Sequence, residues 1–156
     1  MSREYKVGVL GASGAVGREV LNCLEERGFP YSQVKALASS RSAGSPVEFA
    51  GGELIVEEVN DDSFKDLDLA IFSAGATASR QYAPIAAKSG CPVVDNSSCW
   101  RMDERVPLIV PEVNAAALTG HHGIIANPNC STIQMLVALK PIYDAAGISR
   151  IVVSTY

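Results

Sequence analysis

The sequence lacks the features typical of membrane, secreted and metal-stabilised proteins. No apolar run approaches the roughly 20 residues that a membrane-spanning helix needs, and no basic segment with a cleavage site opens the chain. The four cysteines show no C-x-x-C spacing, which argues against a zinc site and against a disulfide framework. We therefore expect reduced thiols, no bound metal and a cytoplasmic protein.

Clusters of basic residues are missing as well. The chain has 13 Lys and Arg against 17 Asp and Glu, a net charge of −4, and no basic stripe interleaved with aromatic residues, so nucleic acid is not an expected partner. Internal repeats and low-complexity segments are also absent. What remains is a chain of 156 residues, 47% hydrophobic, which is enough for one sizeable globular core.

A glycine turn follows an apolar segment near the N-terminus. Residues 5–10 have the pattern of a buried strand, G-A-S-G-A-V-G occupies 11–17, and residues 16–27 continue as an amphipathic helix. In dinucleotide-binding folds such glycines permit a tight turn and a close backbone approach to the pyrophosphate, which the N–H groups of the helix receive. The spacing G-x-x-G-x-x-G departs from the commoner G-x-G-x-x-G and leaves the Ser13 hydroxyl available to a phosphate. The alternative is an ordinary turn between a strand and a helix.

The second predicted strand, at 34–39, bears on the identity of the cofactor. An NAD site places a carboxylate at the end of this strand, whereas an NADP site has basic and hydroxyl groups around the extra phosphate. Here S-S-R-S follows at 39–42 and no acid is present in it, so Ser39, Arg41 and Ser42 favour NADP. The alternative is a solvated loop arginine.

Strands and helices alternate further along the chain, with a hairpin inserted around Gly51 and Gly52. Residues 69–73, 91–95 and 123–126 are predicted strands, residues 78–89 a helix, and 74–77 a small-residue loop beside the cofactor. This order predicts an α/β fold with a Rossmann-like, doubly wound, mostly parallel sheet.

The segment D-N-S-S-C-W-R-M-D at 95–103 follows a predicted strand and therefore faces the ligand crevice. Arg101 has the fork geometry that binds a phosphate or a carboxylate, and Asn96 and Ser98 can support it. The alternative for Arg101 is a surface ion pair with Asp103 or Glu104.

A cysteine lies where an apolar strand gives way to a helix. N-P-N-C-S-T spans 127–132, and apolar residues then recur at helical spacing up to Ala146, so Cys130 lies at or just before a helix N-terminus. Free N–H groups and the helix dipole favour an anion there, which makes Cys130 a candidate nucleophile. The alternative is a buried cysteine that only packs, which describes Cys23, Cys91 and Cys99 better.

Four motifs together resemble one known family over essentially the whole chain. They are G-A-S-G-A-V-G, S-S-R-S, D-N-S-S-C-W-R-M-D with V-P-L-I-V-P-E-V-N, and N-P-N-C-S-T-I-Q-M. In combination they look like aspartate-β-semialdehyde dehydrogenases. The related N-acetyl-glutamyl-phosphate reductases share the architecture, but their cysteine motif usually reads G-C-Y-P-T and they lack the W-R-M segment.

The resemblance implies an NADP-dependent oxidoreductase that reduces aspartyl phosphate to aspartate semialdehyde and phosphate, on the route to lysine, threonine and methionine. It makes Cys130 the nucleophile and assigns Arg101, Asn129 and Ser98 to the acyl phosphate or inorganic phosphate. Cys99 departs from the family, which commonly has alanine there, and adds a second thiol near the pocket. The cofactor-binding residues so predicted are Gly11, Ser13, Gly14, Ala15, Val16, Ser39, Arg41 and Ser42.

The resemblance also implies that the chain is the N-terminal part of a protein about twice as long. Residues 1–126 would form the NADP-binding domain, and residues 127–156 the first helix and, at 151–156, the first strand of a truncated catalytic and dimerisation domain. We expect this chain alone to be inactive, and the full-length protein to be a homodimer or homotetramer acting on small molecules. The alternatives are a non-catalytic NADP-binding or regulatory module and an N-acetyl-glutamyl-phosphate reductase-like enzyme.

Overall fold

A six-stranded parallel sheet forms the centre of the computed structural model, which describes residues 3–155. The strands in chain order are β1 (Tyr5–Leu10), β2 (Tyr31–Ala38), β3 (Pro46–Phe49), β4 (Gly52–Ile55), β5 (Glu57–Glu58), β6 (Leu69–Phe72), β7 (Val93–Asp95) and β8 (Ile124–Ala126). The helices are α1 (Ala15–Glu26), α2 (Gly75–Lys88), α3 (Pro111–Asn114) and α4 (Cys130–Ala146), with a 3₁₀ helix at Ala115–Gly120.

The strands of the sheet lie in the order β5-β2-β1-β6-β7-β8, and each neighbouring pair is parallel. The chain moves outward from β1 in one direction through β2 and in the other through β6, so the switch point lies between β1 and β6. This arrangement confirms the predicted Rossmann-like, doubly wound sheet. Ligands of such sheets bind at the carboxyl ends of the strands next to the switch point.

The two faces of the sheet carry separate apolar cores. Val7 and Val9 of β1 pack with Leu21 and Leu24 of α1 on one face, whereas Leu10 packs on the other. Alternation along the strand places these side chains on opposite faces. The second core draws its residues from several elements. They are Leu10, Leu37, Phe64, Phe72, Ala83, Ala86 and Val93.

The predicted hairpin is present as the antiparallel pair β3 and β4, joined by Ala50 and Gly51. Both turn residues have positive φ, 52° and 73°, as a two-residue hairpin turn requires. Val47 of β3 is buried against the core that α1 shares with β1, and so anchors the hairpin to the fold.

The predicted start of one helix and one predicted strand are wrong. The helix expected at 78–89 begins at Gly75, so most of the predicted loop at 74–77 is its first turn. Residues 151–155 have no regular secondary structure, although a strand was expected at 151–156; Tyr156 itself lies outside the described residues. A strand needs a neighbour for its hydrogen bonds, and within residues 3–155 this segment has none. No helix in the described part of the chain is long and apolar enough to cross a bilayer.

Candidate active site

The glycine turn between β1 and α1 is shaped by close backbone contacts. Gly11 has a φ of +90°, and a Cβ added there would lie 2.8 Å from the carbonyl oxygen of Ser73. Gly14 is the N-cap of α1, has no side chain to cap it, and is followed by no acidic residue in the first turn. The first N–H groups of α1, at Ala15 and Val16, therefore remain open to an anion.

A groove of about 730 Å³ lies at the carboxyl ends of β1, β2 and β6. Six of the eight predicted cofactor residues line it, namely Gly11, Ser13, Gly14, Ser39, Arg41 and Ser42. The other two, Ala15 and Val16, do not line it but follow Gly14 directly as the first residues of α1. Ala74 and Thr77 also line the groove. The segment 74–77, predicted to be a loop, therefore lies at the groove, but it forms the start of α2.

The S-S-R-S segment forms a turn at the end of the groove. The N–H of Ser42 donates to the carbonyl of Ser39 at 2.9 Å, and the hydroxyl of Ser45 donates to the carbonyl of Ser42 at 2.7 Å. Arg41 is exposed, and the part of the chain that the structure describes shows no ion pair to it. Its guanidinium is therefore available to an anionic ligand.

Glu58 is a groove residue that the sequence analysis missed. It lies on β5, which pairs with the end of β2 so that Glu58 is opposite Ala38, and it lines the same groove as Arg41. The S-S-R-S segment has no acid, but Glu58 supplies a carboxylate to the same groove. Glu58 comes 17 positions after Arg41, so no local sequence pattern indicates that the two side chains line the same groove.

Buried hydrogen bonds hold the loop after β7. Asp95 is fully buried and accepts hydrogen bonds from the hydroxyls of Ser79, at 2.9 Å, and Ser97, at 2.7 Å. The indole N–H of Trp100 donates to the Ser79 hydroxyl at 2.8 Å, and the N–H of Cys99 donates to the Ser97 hydroxyl at 3.1 Å. A satisfied buried network of this kind gives the loop one conformation.

Arg101 is held by main-chain carbonyls and not by an acid. Its Nε donates to the carbonyl of Asn127 and a terminal nitrogen to the carbonyl of Asn96, both at 3.0 Å. The predicted alternative partner Asp103 instead pairs with Arg105, whose hydrogen bonds lower the pKa of Asp103 to about 2. The guanidinium of Arg101 is thus fixed at the ends of β7 and β8 and still has N–H groups for an anion.

Cys130 is exposed and is the first residue of α4. Asn129 is the N-cap, and its Oδ1 accepts a hydrogen bond from the N–H of Ser131 at 3.1 Å. The predicted phosphate ligand Asn129 therefore uses its side-chain oxygen for capping and retains its NH₂ group as a donor. Ser98 is exposed in the loop after β7.

The other cysteines differ from Cys130 in environment. Cys91 is buried, and burial, with a smaller contribution from the negative charge of Asp68, raises the pKa of its thiol to about 12. Cys23 and Cys99 are half-buried.

The predicted site residues occupy two neighbouring places at one edge of the sheet. The cofactor candidates surround the groove at β1, β2 and β6, whereas Arg101 and Cys130 follow β7 and β8. Asn127 connects the segments that follow β7 and β8. Its carbonyl accepts a hydrogen bond from Arg101, and its side-chain NH₂ donates to Asn96 Oδ1 at 2.8 Å.

Comparison with known proteins identifies relatives over the whole chain. Residues 6–121 match the semialdehyde dehydrogenase NAD binding domain family. An aspartate-semialdehyde dehydrogenase from Shewanella sp. (strain DB6705) is 56% identical over 100% of this chain and 47% of its own length. One from Bacillus subtilis (strain 168) is 53% identical over 100% of this chain and 45% of its own. The chain thus spans about half the length of the curated relatives it matches.

Solved structures agree with these matches. The aspartate semialdehyde dehydrogenase II of Vibrio cholerae complexed with ASA has 49% identity and a TM-score of 0.90, covering 95% of this chain and 49% of that one. The Candida albicans aspartate semialdehyde dehydrogenase with NADP has 27% identity and a TM-score of 0.75, covering 92% of this chain and 48% of that one.

Proposed function

The chain belongs to the semialdehyde dehydrogenase family. We propose that it takes part in the NADPH-dependent reduction of aspartyl phosphate to aspartate semialdehyde and phosphate. The observation that carries the proposal is the exposed Cys130 at the start of α4, at the same edge of the sheet as the glycine groove. A non-catalytic module has no need of a thiol in this position. The C. albicans relative with NADP supports the choice of cofactor.

The glycine turn supports a dinucleotide phosphate in the groove. An added Cβ at Gly11 would lie 2.8 Å from the Ser73 carbonyl oxygen and one at Gly14 would lie 3.3 Å from the Gly11 carbonyl oxygen, so the turn keeps this tight shape only with glycine there. The N–H groups of Ala15 and Val16 that follow it are open to a pyrophosphate. We assign Ser13 to the same pyrophosphate. Ser39, Arg41 and Ser42 are assigned to the 2′-phosphate at the other end of the groove.

The chemistry begins at Cys130. Its thiolate attacks the acyl carbon of aspartyl phosphate, the bond from that carbon to the phosphate oxygen breaks, and phosphate leaves with the electron pair. NADPH, when held in the groove, would supply the hydride that reduces the resulting thioester. When the carbon–sulfur bond then breaks, the aldehyde is released and Cys130 regains its thiolate.

Arg101, Asn129 and Ser98 are assigned to the phosphate group. The two carbonyl contacts of Arg101 fix its fork before any ligand arrives, which reduces the entropy lost on binding. Asn129 uses its Oδ1 in the cap and keeps its NH₂ group as a donor, and the exposed Ser98 hydroxyl completes the set. In the reverse direction the same residues hold inorganic phosphate for attack on the thioester.

We further propose that residues 1–126 form the NADP-binding domain, that residues 127–156 begin the catalytic domain, and that this chain alone does not turn over. Within residues 3–155 no group hydrogen bonds to the Cys130 thiol. His121 and His122 precede β8 and Cys130 follows it, so the two histidines and the thiol lie at opposite ends of this strand. An acid/base and groups for the substrate carboxylate and amine are still needed, and such groups act cooperatively.

A homodimer or homotetramer is proposed for the whole protein. Apolar side chains in and after α4 support this, because they are exposed to solvent in the chain by itself. They are Ile142, Tyr143, Ile151, Val152 and Val153.

Arg41→Ala is expected to weaken NADPH binding about tenfold and to leave NADH binding almost unchanged, since it removes one charge-assisted contact to the 2′-phosphate. Calorimetric titration of the purified chain with both cofactors measures this. Arg27→Ala is the matched control, because Arg27 is also exposed but lies at the end of α1, away from the groove. Equal affinity of the unmodified chain for NADPH and NADH would contradict the assignment.

A further inference from the structure

Two opposite charges face the end of the groove where the cofactor phosphate is assigned. Arg41 and Glu58 both line the groove, and both are exposed. The described residues contain no ion pair between them or from either one to another side chain. Each charge is therefore available to a ligand.

The position of Glu58 follows from the pairing of β5 with β2. Ala38 is opposite Glu58, and the N–H of Val59 donates to the carbonyl of Ala38 at 2.8 Å. Ala38 is the last residue of β2 and is followed directly by the S-S-R-S turn. In dinucleotide-binding folds that use NAD, the end of this second strand supplies an acid for the ribose hydroxyls. Here the neighbouring strand supplies an acid at the same level of the sheet.

We propose that Glu58 is a specificity-determining residue that limits the preference for the 2′-phosphorylated cofactor. A carboxylate accepts hydrogen bonds from ribose hydroxyls but repels a phosphate. Arg41 attracts the same phosphate, so the balance between the two side chains sets how strongly NADPH is preferred over NADH. This inference rests on the proposed function, because it concerns the same groove.

The test is a pair of neighbouring substitutions in the purified chain. Glu58→Gln keeps the size of the side chain and removes its charge, and Glu57→Gln does the same one residue earlier, outside the groove lining. Adjacent strand residues point to opposite faces, which makes Glu57 a matched control. Binding is titrated by calorimetry with NADPH and with NADH, at low and at high salt.

Glu58→Gln is expected to tighten NADPH binding about fivefold and to leave NADH binding unchanged or weaker, as expected for an exposed charge close to a phosphate. Glu58→Lys, which reverses the charge, should tighten NADPH binding further. Both effects should shrink at high salt, because salt screens exposed charges. Glu57→Gln should change neither affinity.

An unchanged ratio of the two affinities in Glu58→Gln, or an equal shift in Glu57→Gln, would overturn the inference while leaving the proposed function in place. Failure of the unmodified chain to bind either cofactor would overturn both. Equal affinities in the unmodified chain, together with a shift toward NADPH in Glu58→Gln, would remove the proposed NADPH preference and support the role of Glu58.

Discussion

Gly17→Ala is expected to lower the free energy of unfolding by about 3 kcal/mol or more, at the upper end of what overpacking costs. Gly17 lies in the first turn of α1, where an added Cβ would be 2.0 Å from the carbonyl oxygen of Gly11 and 2.7 Å from the Cα of Ala12. Both neighbours are backbone atoms of the turn that closes the groove. The clash can be relieved only if α1 moves away from β1.

Urea unfolding followed by circular dichroism measures this effect. Gly120→Ala is the matched control, because no heavy atom of the described residues 3–155 lies within 4 Å of its added Cβ. Equal stability of the two variants would show that α1 does not pack against the turn as closely as described. A variant that does not fold at all agrees with the prediction.

Cys130 is expected to react with iodoacetamide faster than the other three cysteines in the folded chain, and Cys91 slowest. Cys130 is exposed and begins α4, whereas Cys91 is buried. Burial raises the pKa of the Cys91 thiol to about 12, so very little of it is ionised at pH 7. Because the thiolate is the reactive form, labelling of Cys91 should still be rising with pH at the upper end of the range in which the chain stays folded.

Peptide mass spectrometry after short labelling pulses at a series of pH values gives the four rates separately. The same chain in concentrated urea is the control, since unfolding exposes all four thiols and should make their rates similar. Faster labelling of Cys23 or Cys91 than of Cys130 at pH 7 in the folded chain would falsify the identification of Cys130 as the nucleophile. Labelling of Cys99 alone would contradict it too.

The strand, turn and helix that line the groove could be predicted because their signals are local. Strand β1, the glycine turn and α1 are consecutive in sequence, and the apolar run of a buried strand gives way at the glycines to apolar residues at helical spacing. The same holds for Cys130, since Asn129 and Ser131 form a capped helix start within three residues.

Contacts between distant residues could not be predicted. Glu58 reaches the groove through a strand of two residues, which is too short to leave a periodic pattern. The bond between Ser79 and Asp95 spans 16 positions, and that between Trp100 and Ser79 spans 21. A nearby acid was the alternative partner for Arg101 in the sequence, whereas the carbonyls of Asn96 and Asn127, at the ends of separate strands, hold its guanidinium.

The predicted strand at 151–156 shows a different limit. Its residues have the β-branched composition of a strand, but pairing depends on a neighbour elsewhere in the protein. Residues 151–155 are exposed, and within the described residues no strand lies next to them. Composition alone therefore overstated the local structure.

The proposed reaction at Cys130 is tested most directly in a protein of the same length as the relatives. The chain is fused to the C-terminal half of the Shewanella relative, which is 56% identical over this region, and NADPH formation is measured with aspartate semialdehyde, phosphate and NADP⁺. We expect phosphate-dependent turnover by the fusion, none by the 156-residue chain alone, and none by the fusion with Cys130→Ser although that variant still binds NADP⁺. Turnover that survives Cys130→Ser, or robust turnover by the chain alone, would contradict this expectation.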